Sequence, residues 1–221
     1  AGCERVEAGT GQDAAESRSW RLGLIGAAHS SVVYGRRVRV LTERLAAAMP
    51  RNARVLDVGC GDGLISSLVK ERRPDLTIEG IEILKRPQTH IPVTLFDGKT
   101  IPHGDGSFDA VMFVDVLHHT DDANVLLREA ARVSRSAIVI KDHLRDGLLA
   151  GPTLRFMDYV GNAHHGVRLP YNYWSRAEWD RAFAALGGKV ESWGPTRGLY
   201  PWWASWAFGR GLPGVGRLVK A

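Results

Sequence analysis

The segment Val55-Leu56-Asp57-Val58-Gly59-Cys60-Gly61-Asp62-Gly63 constrains this chain more than any other stretch. A short apolar run enters a turn with glycine at alternate positions, and a helical pattern starts at once behind it. Glycine is needed where the backbone takes positive φ and where a ligand must approach without meeting a Cβ. The helix behind such a turn presents unpaired N–H groups to a carboxylate or other anion. The expected local structure is strand, ligand-binding turn, helix.

The alternation continues downstream. Arg54–Val58, Thr77–Ile83, Val93–Phe96, Ala110–Val114 and Ala137–Ile140 read as short strands, mostly continuous Val/Ile/Leu runs of the kind found in parallel strands covered on both faces. Helices are expected between them. Leu64 to Glu71 is closed by Arg72, Arg73 and Pro74, and a later helix runs through Leu126, Ala130 and Val133 behind an Asp121 or Asp122 cap. A further helix precedes the sheet, where Val33, Val40, Leu41 and Leu45 recur before Pro50. Such repetition predicts an α/β fold built on a doubly wound, mostly parallel seven-stranded sheet. After Asp142 the pattern breaks, and residues 144–173 read as an irregular lid inserted after strand five. Ser175 then opens a helix to Leu186 with Glu178 completing a capping box, and Gly187-Gly188 ends it. Lys189–Trp193 and Tyr200–Phe208 are expected as the closing strands.

Chain length sets the domain count. At 221 residues the chain suits one domain over 20–221, preceded by a polar tail over 1–19 that has almost no large apolar residues. The net charge of +5 comes mostly from arginines scattered over several segments, among them Arg36, Arg37, Arg39, Arg72, Arg73, Arg128, Arg132 and Arg135. They are read as solvated helix faces, and no aromatic interleaving suggests a nucleic-acid partner. Cys3 and Cys60 do not suggest a disulfide framework, so a reducing, cytoplasmic location is expected. No apolar run is long enough to span a bilayer.

Acidic residues recur at the ends of the strands. Asp57 lies two positions before the first glycine, Glu82 closes the second strand, Asp97 follows the third and Asp115 sits near the end of the fourth. All four fall at the carboxyl edge of the sheet, where ligands bind in open α/β folds. A carboxylate at the position of Glu82 can accept both hydrogen bonds of a ribose diol.

On these residues the sequence resembles the class I S-adenosylmethionine-dependent methyltransferases. The glycine segment looks like their first motif, Gly80-Ile81-Glu82 their ribose-binding position and Phe96-Asp97-Gly98 their adenine-side motif. Phe108-Asp109-Ala110-Val111 through Val116-Leu117-His118-His119 is similar to their fourth strand and the loop after it. One departure is Arg132-Val133-Ser134-Arg135-Ser136, which lacks the Pro-Gly-Gly turn common in relatives. The resemblance implies S-adenosylmethionine as cofactor. Gly59 and Gly61 would lie against its methionine portion, with Glu82 on the ribose, and Asp97 and Gly98 with Ile83 at the adenine. Asp115 and Val116 would border the sulfonium, and Asp57 would belong to the same cofactor-binding set.

A methyl acceptor would meet the ends of strands four and five and the lid. His143 is the first candidate for a catalytic base, with Asp142 beside it and His118 as a further candidate. His119 reads as structural. His164, His165, Asn162, Tyr171, Tyr173 and Trp174 lie on the lid side. The expected partner is a small or medium-sized, partly apolar molecule. No metal site is expected, since adjacent histidines on a strand point apart and no His-Glu-x-x-His or Cys-x-x-Cys spacing occurs. Trp202, Trp203, Trp206 and Phe208 are read as packing on the last strand. Contact with a membrane surface, helped by Arg210, Arg217 and Lys220, is the weaker reading. Two rival functions are an NAD-dependent oxidoreductase, disfavoured by a G-x-G-x-G turn in place of G-x-G-x-x-G, and a non-catalytic cofactor-binding subunit.

Overall fold

Strand β1, Arg54–Val58, is buried from Val55 onward and stands inside the sheet, paired in parallel with β2 (Thr77–Glu82) on one side and β4 (Phe108–Val114) on the other. The computed structural model describes residues 35–84, 86–162, 170–195, 198–199 and 213–219. With β3 (Val93–Leu95), β5 (Ser134–His143), β6 (Lys189–Pro195) and β7 (Pro213–Val219), the seven strands run in the order β3-β2-β1-β4-β5-β7-β6. Strand β7 is antiparallel to both of its neighbours, and the others pair in parallel. The chain moves outward from β1 to β3 and then crosses back to β4. The crevice between β1 and β4 is therefore the switch point where ligands bind in such sheets.

Alternate residues of the central strands face opposite layers, as the pleat requires. Leu56, Val58, Val111, Phe113, Ile138 and Ile140 pack on one side against α3 (Ala123–Val133) and α5 (Arg176–Ala185). Val55, Ala110, Met112, Ala137 and Val139 pack on the other, with Leu41 and Leu45 of α1 (residues 35–48) and Val69 of α2 (Leu64–Arg72). Burial on both faces explains the uninterrupted apolar runs. Of the two expected caps for α3, Asp122 fills the role, accepting the N–H of Asn124. The capping box of Ser175 and Glu178 is present in full, and Gly187 follows α5 at φ 70°.

The segment expected to be irregular contains a helix, α4 (Ala150–Asn162). Gly151, Pro152 and Gly161 masked it in the sequence, yet proline is compatible with a first helical turn. The departure before β5 also resolves. Ser134 follows α3 directly in extended conformation, so the chain enters the strand without a separate turn. Arg132 secures that junction through Glu129, Asp105 and the carbonyls of Ile101 and His103. The closing strand Tyr200–Phe208, the tail over 1–19 and the Trp202, Trp203 and Trp206 group lie outside the described residues, as do Cys3, His164, His165, Arg210 and Lys220; the seventh strand is Pro213–Val219. Among the described residues no helix is long and apolar enough to cross a membrane.

One aromatic cluster fastens α5 to the far end of the sheet. Trp179 is 2% exposed, and its ring lies 4.9 Å from Trp174, 5.1 Å from Trp193 and 5.5 Å from Phe183. Truncating so large a side chain removes its transfer energy and leaves a cavity. Trp179→Ala is therefore expected to lower unfolding free energy by about 3–5 kcal/mol in urea titration. A loss below about 1 kcal/mol would show that α5 does not pack as described.

Candidate active site

The three glycines of the turn all adopt positive φ: 71° at Gly59, 60° at Gly61 and 78° at Gly63. Their surroundings differ. A Cβ at Gly59 would stand 2.7 Å from Val116, so this glycine lets the turn lie against the loop after β4. A Cβ at Gly61 would meet nothing within 4 Å. Among the described residues, the open side of the turn is at Gly61.

Glu82 ties β2 to this turn. Its carboxylate is nearly buried, with one oxygen accepting the Gly61 N–H at 2.7 Å and the other the Ile83 N–H at 2.7 Å. Asp57 lies behind them. One of its oxygens accepts from Ser66 Oγ at 2.6 Å, while Oδ1 is buried with no hydrogen-bond partner. Burial, reinforced by the charge of Glu82 and opposed by the Ser66 hydrogen bond, pushes the Asp57 carboxyl up to about 7. Asp97 is exposed and folds its own loop, accepting the N–H groups of Lys99 and Thr100 at 2.7 Å each. Those bonds hold its carboxyl below the usual range. Gly98, at φ 79°, brings that loop beside Ile83, whose side chain is 54% exposed despite being apolar. Exposed aliphatic surface next to a glycine turn and two carboxylates suits a flat, partly apolar ligand.

At the ends of β4 and β5 lies a second cluster. The register sets Val114 opposite Lys141, and Asp115 continues from β4 at φ 57°. Its carboxylate pairs with the buried ammonium of Lys141 and, at 2.5 Å, with Arg37 of α1. Burial would raise the Asp115 carboxyl, but Lys141 and Arg37 outweigh it and hold it well below its ordinary value. Arg37 was expected on a solvated face and is instead half-buried against this carboxylate. The pairing joins residues 78 apart in sequence, which periodicity does not reveal.

Asp142 is wholly buried and accepts three hydrogen bonds: the Leu117 N–H at 3.0 Å, His118 Nδ1 at 2.6 Å and the His143 N–H at 2.7 Å. Burial would raise its carboxyl, and the neighbouring histidines drive it far down instead. His118, only 3% exposed, lies between Asp142 and Asp158. Burial lowers an imidazolium's pKa, but the charge and hydrogen bond of Asp142, with help from Asp158, take His118 up to about 10. At neutral pH, with no ion bound, it is a cation and has no lone pair to offer as a base. His143 differs: Nδ1 stands 3.3 Å from Asp115 and 3.7 Å from Asp142, and the side chain keeps 14% exposure.

The structure thus brings His143, His118, Asp142 and Asp115 together, and gathers Asp57, Gly59, Gly61, Glu82 and Ile83 around the turn. Asn162 ends α4, while Tyr173 stacks on His118 with ring centroids 5.3 Å apart. Sequence reasoning missed Asp158 of α4 because the segment was read as irregular. A helical reading would have set Leu154 and Asp158 on one face, four residues apart.

A family model described as a methyltransferase domain matches residues 33–192. The chain belongs to the class I S-adenosylmethionine-dependent methyltransferases. It is 32% identical over 110 residues to the 27-O-demethylrifamycin SV methyltransferase of Amycolatopsis mediterranei, covering 43% of this chain and 40% of that one. It is 28% identical over 157 residues to the ajmaline N-methyltransferase of Rauvolfia serpentina, covering 65% and 47%. The matches thus span less than half the length of these two curated relatives. Among solved structures, the YcgJ protein of Bacillus subtilis shares the fold with a TM-score of 0.58 at 18% identity, over 82% of this chain and 98% of that one. The sheet also departs from the 3-2-1-4-5-6 order of dinucleotide-binding oxidoreductases by its antiparallel β7 between β5 and β6.

The raised carboxyl of Asp57 makes the methyltransferase's stability pH-dependent. A folded value of about 7 against the ordinary carboxyl value of 3.8 means that its stabilising contribution is complete below about pH 4 and is lost as pH rises through 7. Asp57→Asn removes that ionisation. The variant is expected to exceed the parent at pH 8.5 by roughly 1–4 kcal/mol, with the gap closing near pH 5, in melts across that range. Identical pH profiles would show that Asp57 is not ionising in a buried site.

Proposed function

We propose that the protein binds S-adenosylmethionine along Gly59, Gly61 and Glu82 and transfers a methyl group to a small or medium-sized, partly apolar acceptor. The observation that carries this reading is the buried Glu82 carboxylate, joined to the Gly61 N–H at the open side of the glycine turn. The cofactor, when bound, supplies a methyl group already activated by a sulfonium, so alignment of the acceptor becomes the main requirement. The residues present fit it. Gly61 leaves room for backbone approach, and Glu82 Oε2 keeps a lone pair for a ribose hydroxyl after accepting the Gly61 N–H, while Oε1 already accepts from Ile83 and, at 3.3 Å, from Leu84. Ile83, Asp97 and Gly98 provide an apolar and a polar contact for the adenine. Asp115 and Val116 border the methyl-transfer position.

On this reading His143 takes the proton of an acceptor hydroxyl or ammonium. Nε2 would accept it, and the Asp115 carboxylate, 3.3 Å from Nδ1 though not hydrogen-bonded to it, would stabilise the imidazolium by its charge. Asp142 acts through others, holding the Leu117 turn and His118 in place. The two curated relatives are named for methylation at oxygen and at nitrogen, and a histidine base would serve either after loss of a proton. Cys60, unpaired beside the turn, fits a cytoplasmic enzyme.

Calorimetry is expected to give micromolar or tighter binding of S-adenosylmethionine and S-adenosylhomocysteine, roughly −8 kcal/mol. Glu82→Ala should weaken both by about 1.5–3 kcal/mol for each ribose hydrogen bond lost. Unchanged affinity in that variant, or no binding by the folded parent, would sink the cofactor assignment.

Turnover tests the base. For His143→Gln, S-adenosylhomocysteine release with a responsive acceptor should fall ~10²–10⁴-fold, with cofactor affinity and melting temperature close to the parent's. Retained turnover, or a stability loss large enough to explain the defect, would remove His143 from the chemistry.

A further inference from the structure

We propose that His118, His119 and Asp158 form a binding site for one divalent first-row transition-metal ion, of the zinc, iron or manganese kind. The Nε2 atoms of both histidines lie 3.7 Å from the same oxygen, Asp158 Oδ1. All three ligand atoms fall within 4.8 Å of one another. Adjacent histidines on a strand would point apart. These two lie on the helical turn Leu117–His119, where their rings pack side by side at 4.1 Å and both reach α4. Donors around a tetrahedral ion at the usual bond lengths stand about 3.4 Å apart, so each histidine needs to approach Asp158 by only a few tenths of an ångström.

The surroundings are those of a ligand set held in place. His118 donates through Nδ1 to Asp142 at 2.6 Å, which leaves Nε2 as the atom directed at Asp158. A carboxylate on the distal ring nitrogen is the arrangement that orients metal-bound histidines. Asp158 is oriented in the same way: Tyr173 Oη donates to its other oxygen, Oδ2, at 2.9 Å. The three side chains are 3%, 17% and 8% exposed, so this is not a solvated acidic patch. Binding would release the proton that Nε2 otherwise carries.

A neighbouring group, Asp115, His118, Asp142 and His143, has comparable spacing. It is the poorer site, because Asp115 already pairs with Lys141 and Arg37, two cations that would repel an added one. Two imidazole nitrogens and one carboxylate oxygen favour a borderline transition ion over magnesium or calcium, whose preferred ligands are oxygens. Three protein ligands leave coordination positions open, as in sites that take water or a substrate oxygen.

The test uses untagged full chain stripped with chelator and titrated with Co²⁺, with Zn²⁺ competition and Mg²⁺ as the contrast. The expected result is one ion per chain, visible absorption of coordinated Co²⁺, and displacement by Zn²⁺ but not by Mg²⁺. His119→Ala and Asp158→Asn should abolish the stoichiometric signal. Tyr173→Phe, which removes the hydroxyl that bonds Asp158 Oδ2 and the Leu154 carbonyl, should weaken binding roughly 10–100-fold. Circular dichroism and S-adenosylhomocysteine affinity, read on each variant, separate loss of the site from loss of the fold. The metal titration does not depend on the cofactor assignment, so the two can fail separately. No stoichiometric binding by the folded parent overturns the site. So does binding that survives both His119→Ala and Asp158→Asn, or equal affinity for Mg²⁺.

Discussion

The buried carboxylate of Asp142 is the contact on which the carboxyl edge of this sheet depends. A lone carboxylate inside a protein is prohibitively costly, and its position is tolerable only when donors surround it. Asp142 receives three, from the Leu117 backbone, the His118 ring and the His143 backbone. These bonds join the end of β5 to the turn after β4, so two strands that merely run in parallel also share a fixed terminus. Breaking one partner would leave a charge without compensation, which costs more than the pair itself contributes. The rigidity of the site thus follows from the expense of burying its charges.

A second constraint acts at β1. The turn needs three residues in left-handed conformation, and the glycines meet that need without strain. Gly59 and Gly63 also answer to a neighbour, Gly59 leaving room for Val116. Gly63 leaves room for Ile91, and Gly80 of β2 gives way to the Cys60 side chain, whose Sγ would stand 2.4 Å from an added Cβ. The turn is therefore packed from below by β2 and fastened from the side by Glu82. Among the described residues the Gly61 side of the turn is open, at the end of β1 where the strand order makes its switch point.

Most of this was legible in the sequence because it is local. Continuous apolar runs announce buried parallel strands, and the glycines with Asp57 and Glu82 announce the turn. What the sequence concealed is non-local or contradicts propensity. Arg37 belongs to a helix whose charge pattern looks solvated, yet it crosses to Asp115. Helix α4 begins with Gly151 and Pro152, residues that read as breakers when the capping context is unknown. Without α4 there is no Asp158, and without Asp158 the pair His118-His119 looks like two unrelated side chains. The expectation that they point apart assumed a strand, and the chain instead makes a short helical turn there.

The electrostatics of the two halves of the site are unlike, and the difference bears on catalysis. Around the glycine turn Asp57 and Glu82 stand without a cation among their hydrogen-bond partners. At the strand ends Asp115 is compensated by Lys141 and Arg37, and Asp142 by His118. On the proposed placement Asp115 borders the reacting centre. Methyl transfer discharges a positive centre, so an uncompensated carboxylate beside it would favour the ground state over the transition state and slow the reaction. Two cations on Asp115 mute that attraction while keeping the carboxylate ionised, 3.3 Å from His143 Nδ1. On the proposed placement, neutralising the anion with Lys141 and Arg37, in place of omitting it, would let one side chain favour a protonated His143 without trapping the donor.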